Sequence, residues 1–345
     1  MTFFKNKKVF LTGHTGFKGA WTALTLKQLG AEVTGFALSP FETSLYNIVG
    51  LEKEINSVIG DINNPAEIEK AMMEAKPEIV FHMAAQAFVI PSYNDPRNTW
   101  QTNVIGTLNV FEAVRKVGTV KAMVNITTDK CYENLEWFYP YRETDALGGH
   151  DPYSASKAGA EILSSSYRRS FLKKEGIKMA TVRAGNVIGG GDFSEIRLLP
   201  VAIRSIEENN PFYITAPNST RPWQHVMEAI RGYLNLAEKL YTKDGYDKAY
   251  NFGPDLTGNL TVLEVINEMQ KYIPSLKYEI KINPDAPHEA KLLMLDTSLA
   301  KHELGWKPKI STLEGIKLTA QWYNSYLKGN EDLKELTVKQ IKEFI

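Results

Sequence analysis

The chain has a single cysteine, Cys131, among its 345 residues. One thiol excludes an internal disulfide framework and a cysteine-only zinc site, and it suits a reducing compartment, so a cytoplasmic location is expected. Charge of one sign is not in excess either: 40 Lys and Arg face 40 Asp and Glu. No overall field is left to attract a nucleic-acid backbone or an anionic membrane, and neither is an expected partner. No stretch approaches the roughly 20 apolar residues of a bilayer span, and the opening MTFFKNKKVFLTG lacks the apolar core of a signal peptide, so secretion and anchoring are not expected. Histidines are few, and His14, His82, His150 and His225 stand without metal-ligand spacing. Structural roles are expected for them, and no metal.

What is present is the composition of a globular protein with more than one core, 43% hydrophobic and 23% charged. Apolar runs of strand length at residues 9–12, 33–37, 79–82, 122–127 and 179–183 alternate with amphipathic stretches starting at Gly19 and covering 66–75, 107–117 and 154–172. That alternation predicts an α/β fold, a Rossmann-type doubly wound parallel sheet with helices on both faces. After Gly189 the chain becomes rich in proline and short elements, which predicts a smaller, irregular C-terminal substrate domain. The expected division is 1–186 plus about 224–257 for the dinucleotide domain, and 187–223 with 258–345 for the other. The charged end, residues 328–345, reads as a solvated helix.

Gly13, Gly16 and Gly19 fall at G-x-x-G-x-x-G spacing between the first strand and the first helix. Such a turn lets backbone N–H groups approach a pyrophosphate, whose charge the helix N-terminus also favours. Tight turns use glycine for conformation alone, but the position at the first βα turn favours a dinucleotide. The second strand ends Gly35-Phe-Ala-Leu-Ser39, with neither an acid for an adenosine ribose nor an Arg for a 2′-phosphate, and NAD is the favoured cofactor. Further on, Tyr153 and Lys157 are spaced i, i+4 on one helix face. A Lys⁺ and a cationic nicotinamide nearby would stabilise a phenolate and make Tyr153 a usable base. Alone, a Tyr/Lys pair on a helix is commonplace.

Together, the glycine turn and Tyr153-x-x-x-Lys157 resemble the extended short-chain dehydrogenase/reductase family, and other segments fall into its register from Gly13 to Pro308. Gly60-Asp61-Ile62 looks like its adenine-binding turn, His82-Met-Ala84-Ala85-Gln86 like the loop under the cofactor, and Asn103-Val-Ile-Gly106-Thr107 like its helix-starting signature. The resemblance thus implies cofactor contacts at Gly13, Thr15, Gly16, Phe17, Lys18, Gly19, Asp61, Ile62, Ala84, Ala85, Gln86, Asn103, Tyr153 and Lys157. Thr128 matches the Ser or Thr that hydrogen-bonds the reacting hydroxyl. Asp129 and Lys130 stand where the family's nucleotide-sugar 4,6-dehydratases carry an acid and a base. Most of these have Asp-Glu there. The Asp-Lys-Cys-Tyr version resembles one branch of them, as do Gly13-His-Thr-Gly-Phe-Lys-Gly19, Gly148-Gly-His150-Asp-Pro-Tyr153, Arg183-Ala-Gly-Asn186-Val-Ile-Gly-Gly-Gly-Asp192 and Arg221-Pro-Trp-Gln-His225.

The resemblance implies oxidation at the sugar C4 with Tyr153 as base, elimination of water across C5 and C6 with Asp129 as acid and Lys130 as base, and hydride return to C6. A lysine base must be neutral, which demands burial or a neighbouring cation. Asn186, Arg197 and Arg221 are placed on the substrate diphosphate, with His225 and Glu289 also on the substrate side, and Cys131 as a pocket wall. A homodimer or higher oligomer through the helices at 107–117 and 154–172 is the analogous assembly. The competing readings are a dehydratase for another nucleotide sugar, a 4-epimerase, which needs no acid and base beside C5 and C6, and a silent dinucleotide sensor, which needs no Thr128, Tyr153 and Lys157 together.

Overall fold

The computed structural model describes residues 2–255, 258–282 and 292–345. Its centre is a seven-stranded sheet built from β1 (Lys8–Thr12), β2 (Glu32–Ala37), β3 (Asn56–Ile59), β4 (Ile79–His82), β5 (Ala122–Ile126), β6 (Lys178–Ala184) and the strand Ala249–Phe252. The spatial order is Ala249–Phe252, β6, β5, β4, β1, β2, β3, and every neighbouring pair is parallel. β4 and β5 are buried along their whole length, because helices cover both faces and leave no polar side. One layer of core packs Trp21, Leu24, Met227, Ile230 and Leu234; the other packs Ile68, Met72, Val110, Phe111 and Val114. The strand order reverses between β1 and β4, and the crevice at their C-terminal ends is where this topology receives ligands.

Local chemistry sets the helix ends. The helix Pro65–Ala75 begins with Pro at its first turn and with Asn64 accepting from the Ala66 N–H, and the helix Thr107–Val117 ends on Gly118 at φ +69°. The first helix is Phe17–Gln28, two residues earlier than its expected start. The helix expected over 154–172 is an α-helix, Pro152–Tyr167, that widens into a π-helical turn at Arg168–Leu172. A second π-helical turn, Gln101–Gly106, leads into Thr107–Val117. Three small two-stranded ribbons carry the later chain: Val187–Ile188 with Gln224–His225, Phe212–Ile214 with Tyr278–Ile280, and Thr220–Pro222 with Asn259–Thr261. No helix among the described residues is long and apolar enough to cross a membrane.

The charged C-terminal stretch is not the solvated helix that its composition suggests. The helix Leu333–Phe344 follows Thr312–Lys328 and buries Thr337, Gln340, Ile341 and Phe344. Charged side chains face water while the apolar stripe docks. Trp322, on the preceding helix, donates from Nε1 to Thr337 Oγ1 at 2.9 Å. A Cβ on Gly190 would stand 2.0 Å from Cγ of that same Trp322, and the Gly190 carbonyl accepts from Trp21 Nε1 at 2.9 Å. Gly190 therefore lets the C-terminal helices reach the first core. Gly190→Ala is expected to overpack this contact and lower the unfolding free energy by about 1–3 kcal/mol, read as a lower midpoint in urea at unchanged slope.

Candidate active site

The glycine turn is shaped by two close approaches. Gly13 has φ +80°, and a Cβ there would lie 2.8 Å from the Ala84 nitrogen; a Cβ on Gly19 would lie 1.9 Å from the Gly13 carbonyl oxygen. Gly16 is different: its Cβ would meet nothing nearer than the Gly13 oxygen at 3.4 Å. The protein leaves space over Gly16, at an uncapped helix N-terminus with no acid in its first turn. That is the environment a pyrophosphate requires. Thr15 donates to the Leu38 carbonyl at 2.9 Å, which ties the turn to the end of β2, and Phe17 and Lys18 open the helix, both half-buried. Burial, with Arg197 and Lys157 close by, brings Lys18 down to about 7.

The floor of the crevice is fixed from within. Thr12 Oγ1 accepts from the N–H groups of Met83 and Ala84 at 3.0 and 3.1 Å, so Ala84, Ala85 and Gln86 continue from β4 beside the glycine turn. His82 lies between Thr12 (2.7 Å) and Thr107 (2.9 Å), and burial holds it down at about 3, which makes it a neutral linker. Asn103 is buried and fully engaged: Oδ1 accepts from the Gln86 N–H at 2.9 Å, and Nδ2 donates to the Gln86 carbonyl at 3.0 Å and to Ser156 Oγ at 2.8 Å. It clamps the loop to the helix that follows instead of reaching outward. Beyond β3, Asp61 Oδ1 accepts from the Asn63 N–H at 2.9 Å, and Ile62 is buried beneath Gly106.

The helix Pro152–Tyr167 starts where it does because Asp151 caps it, accepting from the Ser154 N–H at 2.9 Å and from its hydroxyl at 2.6 Å. Ser92, not singled out from the sequence, accepts from the Tyr153 N–H at 3.1 Å. Tyr153 and Lys157 are both buried. Lys157 Nζ donates to the Ile126 carbonyl at 3.0 Å, and burial brings it down to about 8 against the opposing pull of Glu161. Burial pushes Tyr153 up to about 12, opposed by a hydrogen bond with Thr128 and by Arg197. Desolvation of the phenol thus outweighs its neighbours in the protein alone, and the expected stabilisation of a phenolate calls for a cationic nicotinamide beside it as well as Lys157.

Thr128 begins a single helical turn, Asp129–Cys131, and its hydroxyl donates to Asp129 Oδ1 at 3.1 Å. Asp129 is 2% exposed, and burial holds its carboxyl above the usual range against Lys130, Thr128, Arg221 and Lys18. Lys130, the next residue, is half-buried. From the later chain, Arg197 pairs with Asp192 at 2.9 Å and lies 5.0 Å over the Phe88 ring, while Arg221 is buried on its ribbon strand beside Asp129. The backbone carbonyl of Asn186 accepts from the Gln224 N–H at 3.0 Å. The structure therefore gathers Lys18, Thr128, Asp129, Tyr153, Lys157, Arg197 and Arg221 at one crevice.

His225 has a structural part. It is 1% exposed, caps the helix Val226–Thr242 through Nδ1 to the Met227 N–H at 3.4 Å, and stacks on Phe344 at 5.5 Å. The ring holds a helix end and the C-terminal helix; burial keeps it neutral, down at about 3. Glu289 lies outside the described residues. Cys131 is fully buried, and burial pushes its thiol up, away from thiolate chemistry. Glu161, which sequence reasoning passed over, is buried one turn beyond Lys157; its i+4 spacing from that lysine was the available signal.

Fold and site together define a short-chain dehydrogenase/reductase of the extended, sugar-nucleotide type. The chain belongs to the family described as GDP-mannose 4,6 dehydratase, whose model matches residues 10–319. It is 43% identical over 350 aligned positions to CDP-glucose 4,6-dehydratase of Salmonella typhimurium, covering 99% of this chain and 97% of that one. Among solved structures it resembles UDP-glucose 4-epimerase of Thermotoga maritima with UDP-glucose, at TM-score 0.80 and 25% identity over 92% of this chain and 99% of that one. It also resembles the Thermus thermophilus UDP-glucose 4-epimerase complex with NAD, at TM-score 0.79 and 25% identity over 92% and 98%.

Because only Gly16 leaves open space, substitutions in the turn should separate. Gly16→Ala is expected to change stability by no more than about 1 kcal/mol and to weaken NADH binding at least about 10-fold by filling the cradle. Gly19→Ala should lower the melting temperature of the protein without nucleotide, as thermal melts and a fluorescence titration with NADH would show.

Proposed function

We propose that this protein is an NAD-dependent CDP-glucose 4,6-dehydratase, a hydro-lyase that converts CDP-glucose to CDP-4-keto-6-deoxyglucose. The observation that carries the reading is Asp129: a buried carboxyl biased toward its protonated form, joined through Thr128 to Tyr153. A 4-epimerase has no use for a proton donor there. The identity of 43% over 99% of the chain to a CDP-glucose 4,6-dehydratase supports the same choice among nucleotide sugars.

The cradle over Gly16, with Lys18 beside it, fits a dinucleotide pyrophosphate. NAD⁺, when bound, supplies a hydride acceptor at C4, a hydride donor at C6 and a cationic ring next to Tyr153. The side chains do the rest. Tyr153 takes the O4 proton, with Thr128 orienting that hydroxyl and Lys157 holding positive charge nearby. Lys130 takes the C5 proton, now acidified by the C4 ketone, and Asp129 delivers its own to the departing O6. Arg197, released from Asp192, and Arg221 face the diphosphate with charge-assisted hydrogen bonds. We place Asn186 beside them, Gln86, Ala84 and Ala85 under the nicotinamide half, and Asp61 and Ile62 at the adenine. The division at 1–186 plus 224–257 against 187–223 plus 258–345 follows this split of labour.

The enzyme acts in the cytoplasm as a homodimer in deoxysugar biosynthesis, on this proposal. Its support is the exposed apolar side chains Trp100, Ile105 and Ile162, on the segments flanking and forming the two amphipathic helices. Light scattering at micromolar concentration should report a dimer, and Ile162→Asp should shift it toward monomer with its melting curve little changed.

The reaction itself is tested by offering a panel of nucleotide-glucoses. Only CDP-glucose should lose water to a 4-keto-6-deoxy product, by mass spectrometry and alkali-induced absorbance, without accumulation of NADH. Tyr153→Phe should abolish oxidation, while Asp129→Asn or Lys130→Ala should spare oxidation, slow elimination about 10²–10⁴-fold and leave bound NADH visible by fluorescence. Near wild-type product formation by both latter variants would return the reading to an epimerase.

A further inference from the structure

Among the described residues, three buried polar atoms have no hydrogen-bond partner: Asp129 Oδ2, Tyr233 Oη and Gln224 Oε1. Their residues are 2%, 0% and 3% exposed. Buried polar atoms of a native protein are satisfied in the great majority of cases, so three unsatisfied ones call for a shared explanation. They converge on the end of β6. Phe252 pairs with Ala184 in the sheet, and its carbonyl accepts from Gln224 Nε2 at 2.9 Å. The Tyr233 ring packs edge-on to the Phe252 ring at 5.9 Å. At the next residue, Gly185, a Cβ would stand 3.1 Å from Asp129 Oδ2 and 2.4 Å from Pro222. The helix Val226–Thr242, which carries Tyr233, packs against β5 and β6, and Asp129 follows the end of β5. Burial pushes the Tyr233 hydroxyl up, and the Asp129 carboxylate adds to that.

We propose that Tyr233 is a positioning residue for Asp129: through one water shared with Gln224 Oε1, its hydroxyl donates to Asp129 Oδ2 as that carboxyl gives its proton to O6. A water reaching all three atoms would have the number of polar partners that a buried water typically takes. The inference rests on the dehydratase reading above. In the step concerned, the C5–H pair becomes the C5–C6 double bond, the C6–O6 bond breaks, the C5 proton goes to Lys130 and the Asp129 proton leaves with O6 as water. The carboxylate formed is met by Thr128 at Oδ1, and by Tyr233 through that water at Oδ2. Without Tyr233 it would form with one oxygen bare in an apolar wall.

The groups facing Asp129 are Lys130 on its own turn, Arg221 on the ribbon strand, Lys18 on the first helix, and Tyr153, Cys131 and Tyr233. Tyr233→Phe leaves all but the last in place. A donor to the carboxylate lowers the pH at which the acid ionises, so its removal should move the alkaline limb of the elimination rate to higher pH.

Stopped-flow fluorescence of bound NADH with CDP-glucose measures oxidation as the rise and elimination as the decay. Tyr233→Phe should leave the rise unchanged, slow the decay roughly 10–100-fold, the size of a lost hydrogen bond to a charged group, and shift the alkaline limb upward. Gln224→Met should act in the same direction, and its data serve alone if the tyrosine variant does not fold. In an Asp129→Asn background, Tyr233→Phe should slow the decay no further. Equal slowing of rise and decay, an unmoved pH limb, or further slowing in that background would overturn the proposal. If Asp129→Asn alone left elimination intact, the dehydratase reading would fail instead, and the two failures are thereby told apart.

Discussion

The helix bearing Tyr153 and Lys157 is held to the sheet by a buried ion pair. Arg183 on β6 donates from Nη2 to Glu161 Oε2 at 2.9 Å, with side chains 4% and 3% exposed. Burial pushes Glu161 up, but Arg183 and the hydroxyls of Thr127 and Thr181, at 2.5 and 2.7 Å, overcome it and hold the carboxylate below its usual range. Arg183 also donates from Nη1 to Tyr132 Oη at 2.8 Å, and Tyr132 donates to Asn251 on the last strand at 2.7 Å. Replacing such a pair by apolar residues can be neutral, but removing one partner strands the other charge at a cost of about 3–5 kcal/mol. Here the network spans β5, β6, the edge strand and the helix bearing Tyr153 and Lys157, so their position over the crevice depends on it.

A second tie joins the two parts of the site. Arg197 belongs to the later chain, yet it lies over Phe88 from the loop after β4 while paired with Asp192, whose carbonyl accepts from Tyr323 at 2.6 Å. The guanidinium has an aromatic ring over its face and a carboxylate at its N–H edge, and the carboxylate contact is the one that phosphate oxygens would replace in the function proposed above.

The inner strands, the glycine turn and the Tyr153/Lys157 face were legible in the sequence because each follows from a local pattern: unbroken apolar runs, three glycines in one turn, an i, i+4 pair. What escaped depended on distance along the chain. β3 reads Asn-Ser-Val-Ile and is a half-exposed edge strand without a clean alternation. His225 takes its role from Phe344, and Gly190 its necessity from Trp322, contacts that no window of sequence displays. Tyr233 looks like one more apolar position on the amphipathic helix Val226–Thr242, and only its hydroxyl, unpartnered among the described residues, distinguishes it. Glu289 stands outside the described residues, so its part in the site stays with the resemblance.

The π-helical turn at Gln101–Gly106 sets a rule of spacing for the whole crevice. Each such turn takes in one residue beyond the α-helical count, which rotates everything after it by about 100°. Asn103 sits inside that wide turn and faces Gln86 and Ser156, while Thr107, just past it, accepts the other side of the frame by donating to the Asn103 carbonyl at 2.8 Å and meeting His82. The two halves of this helical run therefore keep separate phases. A one-residue deletion between 101 and 106 would restore a regular spiral and turn the clamp away from the loop it grips, whereas a gain or loss beyond Gly118, where the helix has already ended, would leave that phase untouched.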